Sequence, residues 1–132
     1  MAKREYTIVG LCGVAEYGRL NDVQQHLQNG VDVNGKGSYG WTALHLASNS
    51  GYLEVVNTLL SSGANILATN DVGDTPLHLA AFHNQYDVCL VLLQNGASVK
   101  MKNKYNETPL DIAKRRGHHK VVQLLESYPQ KL

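Results

Sequence analysis

The sequence predicts an all-α solenoid made of stacked copies of one small unit, and three observations predict it. Thr42, Leu44, His45 and Ala47 recur 33 residues later as Thr75, Leu77, His78 and Ala80, and again as Thr108, Leu110, Asp111 and Ala113. Gly30, Gly63 and Gly96 keep the same 33-residue spacing, and so do Gly18, Gly51, Asn84 and Gly117. Each unit reads as a pair of helices of about two turns, too short to persist alone, so each must bury its apolar face against its neighbours.

The helices follow from local signals. In the clearest unit, residues 41–47 form the first predicted helix and residues 52–60 the second. Leu44 and Ala47 share one face, as do Leu53, Val56 and Leu60. Thr75-Pro76 and Thr108-Pro109 are start signals: a hydroxyl to cap free amides, then a proline in the first turn, where its missing N–H costs nothing. Gly30, Gly63 and Gly96 stand where a left-handed residue ends a helix. Gly51 and Gly117 permit tight turns, and Asn84 is the usual substitute for glycine there.

These residues resemble the ankyrin repeat, whose signature is Thr-Pro-Leu-His followed by Ala-Ala, a glycine turn and a Leu-Leu-x-x-Gly-Ala ending. Thr75-Pro76-Leu77-His78-Leu79-Ala80-Ala81 matches it in full, while the stretches at 42–48 and 108–114 match it nearly. Residues 59–65 and 92–98 supply the endings. The resemblance implies four helix-turn-helix repeats with hairpin-like loops at right angles and a concave binding face. It also implies that His45 and His78 hydrogen-bond the neighbouring loop and tie one repeat to the next.

Four units fill one domain: residues 5–36, 37–69, 70–102 and 103–128. The first carries Val9-Gly10-Leu11-Cys12 in place of the tetrapeptide but keeps Gly18, Val23, Leu27, Gly30, Asp32 and Asn34 in register. The last has Asp111 in place of the histidine and polar residues such as Lys114 and Glu126. Both read as caps, so the expectation is a self-sufficient monomeric domain.

A composition of 43% hydrophobic and 17% charged residues is ordinary for a globular chain. Cys12 and Cys89 lie in different repeats without metal-ligand spacing, which fits a reducing compartment, the cytoplasm or the nucleus. Lys3-Arg4 and the apolar run at 6–15 superficially imitate a signal peptide, but Ala15 lies inside the first repeat, where cleavage would remove the cap helix. No run is long enough to span a membrane. Residues 100–132 hold eight basic against three acidic side chains, a balance of +5, and residues 1–99 hold four against eight, a balance of −4. A dipole of that kind can orient a partner.

No phosphate loop, nucleophile elbow, paired catalytic carboxylates or Cys-His pattern is present, so the domain is expected to be no enzyme and to need no cofactor or metal. His118-His119 beside Arg115, Arg116 and Lys120 reads as a solvated cap, with an acidic segment as the rival ligand. Nucleic acid is not expected, because no aromatic interleaving accompanies the charge. Asn34 follows Val31-Asp32-Val33, a context resembling asparagine-hydroxylation sites in ankyrin domains; the alternative is a loop-stabilising side chain.

In ankyrin proteins the variable hairpin tips and the outer face of each first helix contact the partner. Carried onto this chain, the resemblance marks Tyr39, Trp41, Asn49, Asp71, Asp74, Phe82, His83, Lys104, Tyr105 and Arg115 as partner-binding residues. The only tryptophan and the only phenylalanine fall in this set, read as an exposed aromatic cluster of the sort that concentrates binding energy. The expected function is a protein-protein interaction module or adaptor. The alternatives are a targeting segment of a larger protein, loosely like the N-terminal repeats of oxysterol-binding-protein relatives, and a purely structural scaffold.

Overall fold

The computed structural model describes residues 5–130; Lys3, Arg4 and Lys131, named above, lie outside them. Among the described residues there are eight α-helices and no strand. The helices are α1 (Ile8–Glu16), α2 (Leu20–Gln28), α3 (Ala43–Ser50), α4 (Leu53–Ser61), α5 (Pro76–Phe82), α6 (Tyr86–Gln94), α7 (Pro109–Arg116) and α8 (His119–Ser127). Each odd-numbered helix packs on the even one that follows, and α1, α3, α5 and α7 stack in one row beside a second row of α2, α4, α6 and α8. None of these helices is long and apolar enough to cross a membrane.

Burial repeats with the sequence period. Leu11, Leu44 and Leu77 are each 1% exposed, and Val23, Val56 and Cys89 occupy one equivalent station in the second row, all fully buried. Cys89 packs there as a small apolar residue, and burial pushes its thiol pKa up to about 12. The left-handed turns expected at Gly51, Asn84 and Gly117 have φ of 84°, 58° and 71°.

The helix starts require correction in the second repeat. Trp41 lies outside α3, because Thr42 is its N-cap, and Tyr52 precedes α4. In the first unit α1 begins at Ile8 and is capped by Thr7, whose hydroxyl accepts the Gly10 N–H at 2.9 Å. The cause of this divergence lies in α2: His26 fills the station held by Leu59 and Leu92 in later repeats. Its Nδ1–H donates to the Asp22 carbonyl at 2.8 Å, and the Tyr6 ring stands edge-on to it. A Cβ at residue 10 would come within 2.7 Å of His26 Nε2, so glycine replaces the tetrapeptide pattern there.

The hairpins are held to one another by the main chain. The Asp71 N–H donates to the Tyr39 carbonyl at 3.0 Å, and one period later the Lys104 N–H donates to the Val72 carbonyl at 2.9 Å. A Cβ at Gly73 would stand 3.1 Å from Asn103 Cα on a backbone with φ of 81°, so glycine lets the next hairpin close on this turn without strain. Asn34 does stabilise its loop: its amide donates to the Gly63 carbonyl at 3.2 Å and its oxygen accepts the Asn65 N–H at 2.7 Å.

Candidate binding grooves

The histidines fix the hairpins that carry the candidate surface. The Thr42 backbone N–H and hydroxyl both donate to His45 Nδ1, at 3.1 and 2.8 Å, while its Nε2–H donates to the Asp74 carbonyl at 2.9 Å in the next repeat. His78 repeats this arrangement with Thr75 and the Glu107 carbonyl, the latter at 3.0 Å. Both rings are fully buried. Burial comes first among the influences that hold their pKa below the ordinary histidine value, only partly offset by the carbonyl each faces. The neutral Nε2–H tautomer is therefore structural.

His118 departs from the expected solvated cap. Its Nε2–H donates to the Phe82 carbonyl at 3.0 Å, the counterpart of the Gln85 amide donating to the Asn49 carbonyl at 3.2 Å one period earlier. His119 is exposed.

Two grooves open in the angle between the first-row helices and the hairpins. The first, about 430 Å³, is lined by Val9, Cys12, Gly13 and Glu16 of α1, by Gly37, Ser38, Tyr39 and Trp41 of the hairpin, and by Leu46 and Asn49 of α3. The second, about 340 Å³, is lined by Asp74, His78, Leu79, Phe82, Asn103, Tyr105, Glu107, Ile112 and Arg115. The two are the same place two periods apart. Gly13 corresponds to Leu79, Glu16 to Phe82, Tyr39 to Tyr105, Trp41 to Glu107, Leu46 to Ile112 and Asn49 to Arg115. Gly13 in place of Leu79 leaves the first groove roomier.

Their contents differ. Across the second groove Arg115 Nε donates to Glu107 Oε2 at 2.9 Å and a terminal guanidinium N–H donates to Oε1 at 3.4 Å. In the first groove Trp41 and Asn49 hold those two stations, and Glu16 is the one charged side chain lining it.

Two local features set the first hairpin apart. Tyr39 is 80% exposed and has φ 56° and ψ 25°, a left-handed backbone that an aromatic residue adopts at a cost of about 1 kcal/mol. Among the described residues the other non-glycine residues with positive φ are asparagines, Asn84 and Asn106. In addition, the Asn103 amide donates to Asp74 Oδ1 at 2.9 Å, but Asn70, its counterpart one period earlier, has Trp41 at the station of that carboxylate. The buried Asn70 amide nitrogen has no hydrogen-bond partner among the described residues.

The predicted site residues therefore fall into separate groups rather than one aromatic cluster. Tyr39, Trp41 and Asn49 line the first groove, and Asp74, Phe82, Tyr105 and Arg115 the second. Trp41 and Phe82 are half-buried, not exposed. One face of Phe82 is covered by the Arg116 guanidinium at 4.2 Å, and His83 stands edge-on to the same ring. Asp71 and Lys104 are exposed at the hairpin tips. The set omitted Val9, Cys12 and Gly13 of α1, which line the first groove.

A family model described as ankyrin repeats (3 copies) matches residues 11–103 and 70–131. No curated protein matches the chain. Ankyrin repeats are in general protein-protein interaction modules and typically not enzymes.

Proposed function

We propose that this chain, which belongs to the ankyrin-repeat family, is a monomeric adaptor that grips a partner protein with its first groove and the neighbouring hairpin tips. One observation carries the reading: Tyr39 is held in a costly left-handed backbone beside Trp41, and although its carbonyl joins the next hairpin, its ring is 80% exposed and is left free for a partner. The second groove, closed across by Arg115 and Glu107, serves as a stiffening joint and a secondary contact. Rigid presentation limits the entropy lost on binding, so a modest surface can be selective. The free buried thiols of Cys12 and Cys89 fit a reducing compartment, and the cytoplasm is the proposed location.

The test compares wild type with Trp41→Ala and Phe82→Ala in capture from the source cell's lysate, followed by titration of the captured partner. Trp41→Ala is expected to weaken binding by about 2 kcal/mol, roughly thirtyfold, with an unchanged helical spectrum. Phe82→Ala should weaken it less. A lower melting temperature with undiminished affinity for Trp41→Ala would overturn the reading in favour of a structural role.

A further inference from the structure

The second groove is the internal counterpart of the first. In the second, an arginine of the chain itself lies among a carboxylate and aromatic rings: Arg115 is bound at two points by Glu107, and Phe82 and Tyr105 line the same space. The first groove presents the same three kinds of group with two stations exchanged. Glu16 stands where Phe82 does, Trp41 where Glu107 does, and Tyr39 where Tyr105 does. The arginine station holds Asn49.

We infer that the first groove takes an arginine side chain from an extended segment of the partner, reproducing between molecules the arrangement that Arg115 makes within one. This rests on the proposed function and specifies its partner chemistry. No lysine or arginine lines the groove, and Glu16 takes part in no salt bridge among the described residues. Residues 1–99 carry a balance of −4, which draws a basic segment to this end of the stack. A guanidinium suits the site better than an ammonium, because its plane stacks on an indole while its fork meets a carboxylate, and it gives up its water more readily. The chain already stacks one guanidinium this way, Arg116 on Phe82. The space left by Gly13, within about 430 Å³, accommodates the side chain together with backbone on either side of it.

Trp41 is the only tryptophan in the chain, so its fluorescence reports on this groove alone. The probes are acetyl-Gly-Arg-Gly-amide and the same peptide with citrulline, which keeps the shape and loses the charge. The expected result is a saturable change with the arginine peptide, at least about fivefold weaker binding of the citrulline peptide, and a similar loss in Glu16→Gln. Asn49→Arg, which supplies the arginine internally, should stay folded and give no response. Equal binding of the two peptides, wild-type binding by Glu16→Gln, or a full response from Asn49→Arg would each overturn the inference. Partner capture that depends on Trp41 alongside any of those results leaves the proposed function standing and removes only the arginine.

Discussion

Position 78 and position 111 lie one period apart and do different amounts of work. His78 accepts the Thr75 N–H at its own helix start and donates to the Glu107 carbonyl in the next repeat. Asp111 does the first task alone: its carboxylate accepts the Thr108 N–H at 3.0 Å, and the Thr108 hydroxyl accepts its N–H at 3.1 Å. At the opposite end, Cys12 occupies the same station and attempts only the second task, its thiol pointing to the Trp41 carbonyl at 3.8 Å. An internal repeat needs a side chain that can accept at its own helix start and donate to the next repeat, and the two nitrogens of a neutral imidazole do both. An end unit keeps the half that faces its single neighbour or its own helix.

Breaking this comparison at its strongest point should give the largest effect. His78→Ala empties a buried site, leaves the Thr75 N–H and Glu107 carbonyl unpaired, and should cost about 3 kcal/mol in urea denaturation. His78→Asp should restore only the cap, so the difference between the two variants isolates the cap, and what His78→Asp still lacks relative to wild type is the bridge. The next effect is a dependence on pH. Because the folded pKa of His45 and His78 is lowered, their contribution is fully present above the unfolded value of about 6.5 and is lost as pH falls from there toward the folded value. Denaturation midpoints measured from neutral pH downward should fall in that window and flatten in a His45→Gln/His78→Gln variant, even if its overall stability is lower.

Smaller effects sharpen the ends. Cys12→Ala removes a weak donor and a little volume and should cost about 1 kcal/mol. Asp111→Ala, at an exposed cap, should cost about 0.5 kcal/mol. The Asp111 pKa is lowered, chiefly by its hydrogen bond from the Thr108 backbone, so its small contribution is present at neutral pH and disappears only in acid, well below the histidine window. A cost at Asp111 equal to that at His78 would refute the division of labour.

The same comparison explains what the residues disclosed beforehand. Helix order and the turns at Gly51, Asn84 and Gly117 were legible because each depends on a short motif repeated in register, and the histidine bridges followed from the family resemblance that those motifs carry. The start of α1 was not, since Gly10 near that start faces His26 of the next helix, which stands where later repeats have leucine. The grooves were legible only in part. Tyr39, Trp41 and Asn49 could be marked as surface, but their separation from Phe82 and Arg115 depends on how far apart repeats stand once packed. The coverage of Phe82 by Arg116 joins different elements and leaves no local signal. That Cys12 stands in for a histidine is visible in the spacing 12, 45, 78, 111, yet its reach to Trp41 is a matter of backbone geometry.

The rungs between hairpins, Asp71 to Tyr39 and Lys104 to Val72, use main-chain atoms alone. The pitch of the tips is thus indifferent to the side chains displayed at 71 and 104, where proline is the one residue type that removes a rung. The molecule works like a type-case with fixed slots: the letters set in it can be exchanged without altering the spacing of the line, so a new partner can be acquired by rewriting the tips while the frame stays as it is.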